Sequence, residues 1–203
     1  MTGIIDYGVG NLFSLKSSLA YLGERCTVSS DEEILHEADR IILPGVGAFG
    51  DAAEKLRDLG LDRFVRREAE SGKPLMGICL GMQLLFESSE EFGKHQGLGL
   101  LQGEIVSMEG RIPIELKIPH IGWNRLIRKK EHALLYGLPD LSFVYFVHSY
   151  FAHGCDDSLI AATDYGQELT AVVAKKNVMG CQFHPEKSGK TGLQILRNFC
   201  GME

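Results

Sequence analysis

The feature that most limits what this chain can fold into is a thiol set between two glycines, Gly77-Ile78-Cys79-Leu80-Gly81. An apolar run, Pro74-Leu75-Met76, leads into it. Met82-Gln83-Leu84-Leu85-Phe86, free of Gly, Pro and β-branched residues, leads out. That order predicts a buried strand, a turn one residue wide and a helix. A nucleophile with glycine two residues before and two after has the pattern of a nucleophile elbow, here with Cys in place of Ser. Such a turn strains the backbone of the nucleophile, and a Cβ on either flank would strike the adjoining strand or helix. It also sets the sulfur at the first turn of a helix, where unpaired N–H groups favour a thiolate and can bind a developing oxyanion. A lone cysteine in an apolar run is otherwise an ordinary small core residue, so its chemistry depends on what else reaches it.

Other strand–turn–helix units surround the elbow. Residues 3–7 (GIIDY) are an apolar run ending in Gly8-Val9-Gly10-Asn11, and Leu12, Leu15, Leu19 and Leu22 then recur at helical spacing up to Gly23. Cys26 to Ser29 is a short strand, with Ser30 or Asp31 as cap of a brief helix. Ala38 to Leu43 reads as a strand closed by Pro44-Gly45-Val46-Gly47. Helical patterns follow through Phe49, Ala52, Ala53 and Leu56, and again through Leu61, Phe64, Val65, Glu68 and Ala69 to Gly72. This alternation predicts right-handed βαβ units and an α/β fold with a mainly parallel central sheet flanked by helices. Ligands of such sheets sit at the carboxyl ends of the strands, so the turns at 8–11, 44–47 and 77–81 are expected on one rim.

From about residue 104 the pattern changes to short Ile, Val and Leu-rich segments broken by Gly and Pro. Strands are expected at Glu104 to Met108, Ile112 to Ile118, Asn124 to Arg128, Phe143 to Val147, Leu159 to Thr163, Ala171 to Ala174 and Val178 to Phe183. They read as an added antiparallel or mixed region. Thr191 to Phe199 is an amphipathic covering helix. No repeat, low-complexity segment or linker divides the 203 residues, and one domain over 1–203 is expected.

Composition excludes several classes of function. With 44% hydrophobic and 24% charged residues and a net charge of −6, nothing invites nucleic acid or an anionic membrane. The densest basic patch, Arg125 to Lys130, is short and reads as a solvated strand end or a partner contact. The start, MTGIIDYG, has neither the basic nor the apolar part of a secretory signal, and no run suits a membrane span. Five widely spaced cysteines without CxxC pairs predict neither disulfides nor a metal site, and point to a reducing cytoplasm. No cofactor signature is present; GxxxxGK[ST] is absent.

The partners of Cys79 are sought in Gln182-Phe183-His184-Pro185-Glu186. In extended backbone, residues i and i+2 project to one side, and Pro185 discourages helix at His184. His184 and Glu186 then face one site together. The carboxylate fixes the imidazole tautomer, leaving the other ring nitrogen to take the thiol proton. His120 and His148 sit beside strand patterns as structural residues, whereas His36, His95, His132 and His153 lie in polar surroundings.

With these residues in place, GICLGMQLLFE and CQFHPEKS resemble the class I, triad-type glutamine amidotransferases, a flavodoxin-like fold family. Within them IIDYGVGNL (4–12), LPGVGAFGDA (43–52), PHIGWN (119–124) and YFVHSY (145–150) resemble the glutaminase subunits of imidazole glycerol phosphate synthases of histidine biosynthesis. The resemblance implies a catalytic triad of Cys79, His184 and Glu186. It implies an oxyanion hole from the backbone N–H groups of Leu80 and of Val46 and Gly47, in a loop that reorients a peptide between resting and active states. It places Gly45, Gly47, Gln83, Glu91, His148, Ser149 and Tyr150 at the glutamine. It places Asn11, Trp123, Tyr145 and Lys187 at the interface with a cyclase subunit, a (β/α)8 barrel that receives the ammonia in a heterodimer. No metal or cofactor is implied. Other triad amidotransferases, a peptidase or γ-glutamyl hydrolase of the same fold, and a docking subunit with a dead site are the alternatives.

Overall fold

The computed structural model describes residues 1–202, and its strands are ordered by how apolar they are on each side. Strands β1 (Thr2–Ile5), β2 (Cys26–Ser29), β3 (Arg40–Leu43) and β4 (Leu75–Ile78) are separated by helices α1 (Leu12–Tyr21), α2 (Glu32–His36), α3 (Phe49–Asp58) and α4 (Leu61–Glu70). Neighbours such as Ile4 and Ile5, Ile41 and Ile42, or Leu75 and Met76 point to opposite faces and all are buried. A strand apolar on both faces belongs in the middle of a helix-covered parallel sheet. One face carries Phe49, Leu56, Phe64 and Val65 from α3 and α4. The other carries Leu15 and Leu19 of α1 with Ile195, Leu196 and Phe199 of the last helix.

Helix ends follow their sequence signals. Asp31 caps α2 by accepting from the Glu33 N–H at 2.8 Å. At the end of α1 the Gly23 and Glu24 N–H groups return to the carbonyls of Ala20 and Leu19. The left-handed Gly23 makes that reversal possible.

Beyond the elbow come α5 (Leu80–Gln83), β5 (Ser88–Ser89), β6 (His95–Gln96), β7 (Glu104–Ser107), β8 (His120–Arg125) and β9 (Ile127–Arg128). Next come β10 (Phe143–His148), β11 (Tyr150–His153), β12 (Leu159–Asp164), β13 (Glu168–Lys175), β14 (Val178–Cys181) and α6 (Gly189–Cys200). The central sheet runs β2-β1-β3-β4-β14-β13-β12-β9. It is parallel from β2 through β14 and antiparallel from there outward. β10 and β8 form a ribbon, and β11-β7-β5-β6 a small four-stranded sheet. The expected α/β architecture with its added antiparallel region is therefore present.

Three expectations need correction. Ile112 to Ile118 is a chain of turns and no strand. Pro113 and Pro119 bracket it and remove ladder donors, and Ile114 is 96% exposed with no sheet face to cover it. The helix expected through Phe86 stops at Gln83. There the N–H groups of Leu85 and Phe86 tighten onto the carbonyls of Met82 and Gln83. Asn124 to Arg128 is two strands of different sheets, β8 beginning four residues early at His120 and β9 pairing with β12. β11 has no counterpart among the expected strands.

Candidate active site

The register of β4 against β14 brings distant parts of the chain together. These parallel neighbours pair Ile78 with Cys181, and the Cys79 N–H bonds to the Cys181 carbonyl at 2.8 Å. Adjacent strands lie about 4.8 Å apart, so the residues just past their carboxyl ends, Cys79 on one and Gln182 to His184 on the other, must share one site. The turns after β1 and β3 meet there as well: a Cβ on Gly10 would lie 3.2 Å from the Pro44 ring.

The elbow itself is strained and tightly packed. Cys79 has φ 55° and ψ −114°, a conformation that costs a non-glycine residue about 1–3 kcal/mol. The flanking glycines make it possible. A Cβ on Gly77 would sit 2.5 Å from the Met82 Cα, and one on Gly81 1.8 Å from the Leu43 carbonyl oxygen. Gly45 belongs to the same packing, since its Cβ would strike the Gly81 N–H, the Leu80 side chain and the Tyr7 hydroxyl. Tyr7 holds that loop by donating to the Pro44 carbonyl at 2.8 Å. Burial, then the neighbouring Cys79, push its phenol to a higher pKa and keep it a donor.

A pocket of about 380 Å³ opens over the sulfur. Cys79, Leu80, Gln83 and His184 line it, together with Val46, Gly47, Glu91, His148, Ser149, Tyr150 and Lys187. Gly45 does not line it. Glu186 lies behind His184, its Oε1 2.8 Å from Nδ1. The backbone between them is not extended as expected. His184 is (φ −95°, ψ 100°), but Pro185–Lys187 is a 3-10 turn that folds the carboxylate back onto the ring. The other carboxylate oxygen is buried and takes no hydrogen bond among the described residues, so the carboxylate acts on the imidazole alone. With Nδ1 committed to Glu186, Nε2 is the nitrogen left for the thiol. Burial by itself would lower the His184 pKa. Its interactions with Cys79 and then Glu186 outweigh that and raise it to about 9. Those contacts favour the protonated imidazole.

Two sites expected from sequence have a second function. The Glu91 Oε2 accepts the Phe49 N–H at 2.7 Å and so caps α3. Gln83 spends both amide hydrogens inside the protein, on the Tyr150 carbonyl at 3.1 Å and on Gln182 Oε1 at 3.0 Å. Only its own oxygen remains for the pocket, which makes it an acceptor there.

His148 and His120 form a chain whose tautomers follow from its end. The His148 Nδ1 faces the Tyr150 carbonyl at 2.8 Å and must donate. Its Nε2 therefore accepts from His120 Nδ1 at 3.1 Å, and His120 Nε2 accepts from Asn124 Nδ2 at 3.3 Å. Both rings are neutral, burial lowering them to about 3 and about 4. Of the proposed partner residues, Lys187 reaches the pocket. Asn11 begins α1 with its side chain uncommitted. Trp123 and Tyr145 stand opposite each other on the β8–β10 ribbon, ring centroids 6.0 Å apart. The Tyr145 carbonyl accepts the His184 N–H at 3.0 Å, which ties that ribbon to the base. Tyr7 and Gln182 are the residues sequence reasoning passed over. Gln182 belongs to the same motif as His184 and falls opposite Cys79 in the register that β14 and β4 adopt.

Comparison with known proteins gives the family and the fold. The family model for glutamine amidotransferase class-I matches residues 3–202. The imidazole glycerol phosphate synthase subunit HisH of Sulfurimonas denitrificans is 51% identical, over 98% of this chain and 97% of its own. That of Aquifex aeolicus is 50% identical over 98% and 95%. Among solved structures, PurLQS from Thermotoga maritima superposes with a TM-score of 0.76 at 22% identity, over 98% of this chain and 96% of that one. The glutaminase domain of Trypanosoma brucei CTPS does so at 0.64 and 17%, over 100% and 94%. At those identities the structures speak for the fold alone.

Proposed function

The chain belongs to the class I glutamine amidotransferases, and on that premise we infer that it is the glutaminase subunit of an imidazole glycerol phosphate synthase. It hydrolyses glutamine and supplies ammonia to histidine biosynthesis. A single amidotransferase domain spanning 1–203 does this in the cytoplasm, where the thiolate stays reduced. The observation that carries the chemistry is the pocket in which the Cys79 sulfur adjoins an imidazole oriented by a buried carboxylate.

Cys79 Sγ attacks the side-chain amide carbon while its proton resides on His184 Nε2. The oxyanion is held by the N–H groups of Leu80, at the start of α5, and of the 45–47 loop, through Val46 and Gly47. Each such donor contributes roughly a hundred- to a thousandfold in rate. His184 then protonates the leaving ammonia, and afterwards activates the water that hydrolyses the thioester. Glu186 keeps the ring in the required tautomer. At the other end of the substrate, the acceptor-only Gln83 and the Glu91 carboxylate suit the α-ammonium. The His148–Ser149–Tyr150 crossing receives the α-carboxylate.

The ammonia passes to a cyclase subunit, a (β/α)8 barrel, seated on the rim formed by Asn11, Trp123, Tyr145 and Lys187. The test is glutamine-driven cyclisation by the two mixed subunits. Cys79→Ala abolishes it and leaves cyclisation from free ammonium salts intact. Glutamine-driven turnover by Cys79→Ala, or activity with other synthases and none with the cyclase, would overturn the reading.

A further inference from the structure

Gln182 is completely buried, yet one end of its side chain lies at the reacting sulfur: Nε2 is 3.8 Å from Cys79 Sγ. The direction of that amide is not a free choice. The Tyr150 carbonyl can only accept, so the group of Gln83 facing it must be the nitrogen. The second hydrogen of that same nitrogen needs an acceptor, and among the described residues the atom offered is Gln182 Oε1, at 3.0 Å. With its oxygen turned to Gln83, Gln182 presents its NH2 to sulfur. A flipped amide would set oxygen against the sulfur and nitrogen against nitrogen, losing both contacts. The His148 Nδ1–H, donating at 2.8 Å to the same Tyr150 carbonyl, anchors the far end of the chain.

We propose that Gln182 is a thiolate-holding residue for Cys79, its amide locked donor-inward by Gln83 and the Tyr150 carbonyl. The inference deepens the amidotransferase reading and rests on Cys79 being the nucleophile. A buried amide is well suited to this work. It donates to sulfur without carrying a charge of its own, so it favours the anion over the thiol and leaves His184 as the only proton acceptor. It also lies at the base of the elbow, away from the pocket, because Gln182 is no part of the lining. The substrate therefore does not displace it.

The test is the alkylation of Cys79 by iodoacetamide, followed by peptide mass mapping across a pH series. Alkylation needs neither glutamine nor the cyclase, so its result stands whether or not the assigned activity does. Gln182→Met keeps the volume and removes the donor. Losing one charge-assisted hydrogen bond lowers the rate at neutral pH at least about tenfold, and the pH profile slides to higher pH while the thermal melt stays cooperative. Gln182→Glu, which retains the oxygen facing Gln83, slows alkylation further by placing a carboxylate at the sulfur. An unchanged profile in a folded Gln182→Met variant overturns the proposal. Should neither variant fold, the side-chain amide resonances of Gln182 in the wild type decide it. They must move as the thiol ionises and stay still in Cys79→Ser; movement in both, or in neither, overturns it.

Discussion

At the scale of single residues, the chemistry is set by which hydrogen bonds each group has left to make. Glu186 has one, to His184 Nδ1, and its charge is one of the two influences that overcome burial and hold the imidazole at about 9. In the proposed mechanism the imidazolium is the acid for the departing ammonia, so glutaminase turnover falls as pH rises through that value. Glu186→Gln keeps the shape and the hydrogen-bond acceptor but removes the charge. The alkaline limb of the kcat profile then moves to lower pH and the maximum rate drops; an unmoved limb would assign it to another group. The same linkage has a sign for stability. A pKa raised above the unfolded 6.5 stabilises fully below that pH, and the contribution is lost as pH climbs through about 9. His148 and His120 lie on the other side of this contrast. They are neutral at all physiological pH, so they position the Tyr150 carbonyl without competing for the thiol proton.

At the scale of elements, buried polar positions decide how helices are fixed to the sheet. Glu68 occupies a core-facing position of α4 and is 2% exposed. Lys73 reaches it at 2.7 Å and His36 at 3.0 Å, so one carboxylate joins α4 to α2 and to the lead-in of β4. Burial would raise its pKa, but the hydrogen bonds from Lys73 and His36 prevail and lower it. Its contribution is therefore present above the unfolded carboxylate range and lost as pH falls through the folded value. Glu68→Gln leaves Lys73 half-paired and costs about 2 kcal/mol at pH 7, tempered by the solvent around His36. Chemical denaturation at pH 7 and pH 4 checks this, the deficit shrinking at the lower pH. Glu68 also shows what a sequence can and cannot reveal. Its place on the helical stripe with Leu61, Phe64, Val65 and Ala69 is legible from spacing, but of its partners Arg67, Lys73 and His36 only Arg67 shares its helix. The strands of the parallel sheet were legible for the same reason, each carrying a local apolar run between glycine turns. Ile112 to Ile118 looked equally apolar, and became turns because nothing in the fold covers Ile114. The meeting of Cys79, His184 and Glu186 was legible because glycines and proline mark its turns. The direction of Gln182 was not, because a carbonyl two elements away fixes it.

At the scale of the whole molecule, the rim that holds the pocket is also where large apolar side chains are left uncovered. Phe13 is 83% exposed at the start of α1, and Ile121 and Trp123 are 59% and 55% exposed on the β8–β10 ribbon. α1 and that ribbon both pack against the 3-10 turn that follows His184, so the elements that carry these side chains stand beside the pocket. Scattered exposed apolar residues need no explanation. These differ in lying on elements that pack beside the pocket. Among the described residues Trp123 has Tyr145 as its one aromatic neighbour, which gives its removal little effect on folding and makes it a strong anchor for a partner. Trp123→Ala should accordingly melt like the wild type and alkylate normally at Cys79. It should bind the cyclase subunit at least about thirtyfold more weakly, the loss of a hot-spot side chain worth about 2 kcal/mol. Tyr136 is the matching control. It is 79% exposed, but its carbonyl bonds to Asn198 near the end of α6, at the opposite pole from Gly189, where that helix leaves the site. Tyr136→Ala should leave titrations with the cyclase unchanged. Equal losses in the two variants would place the partner elsewhere, and a loss confined to Trp123→Ala would seat it over the pocket mouth.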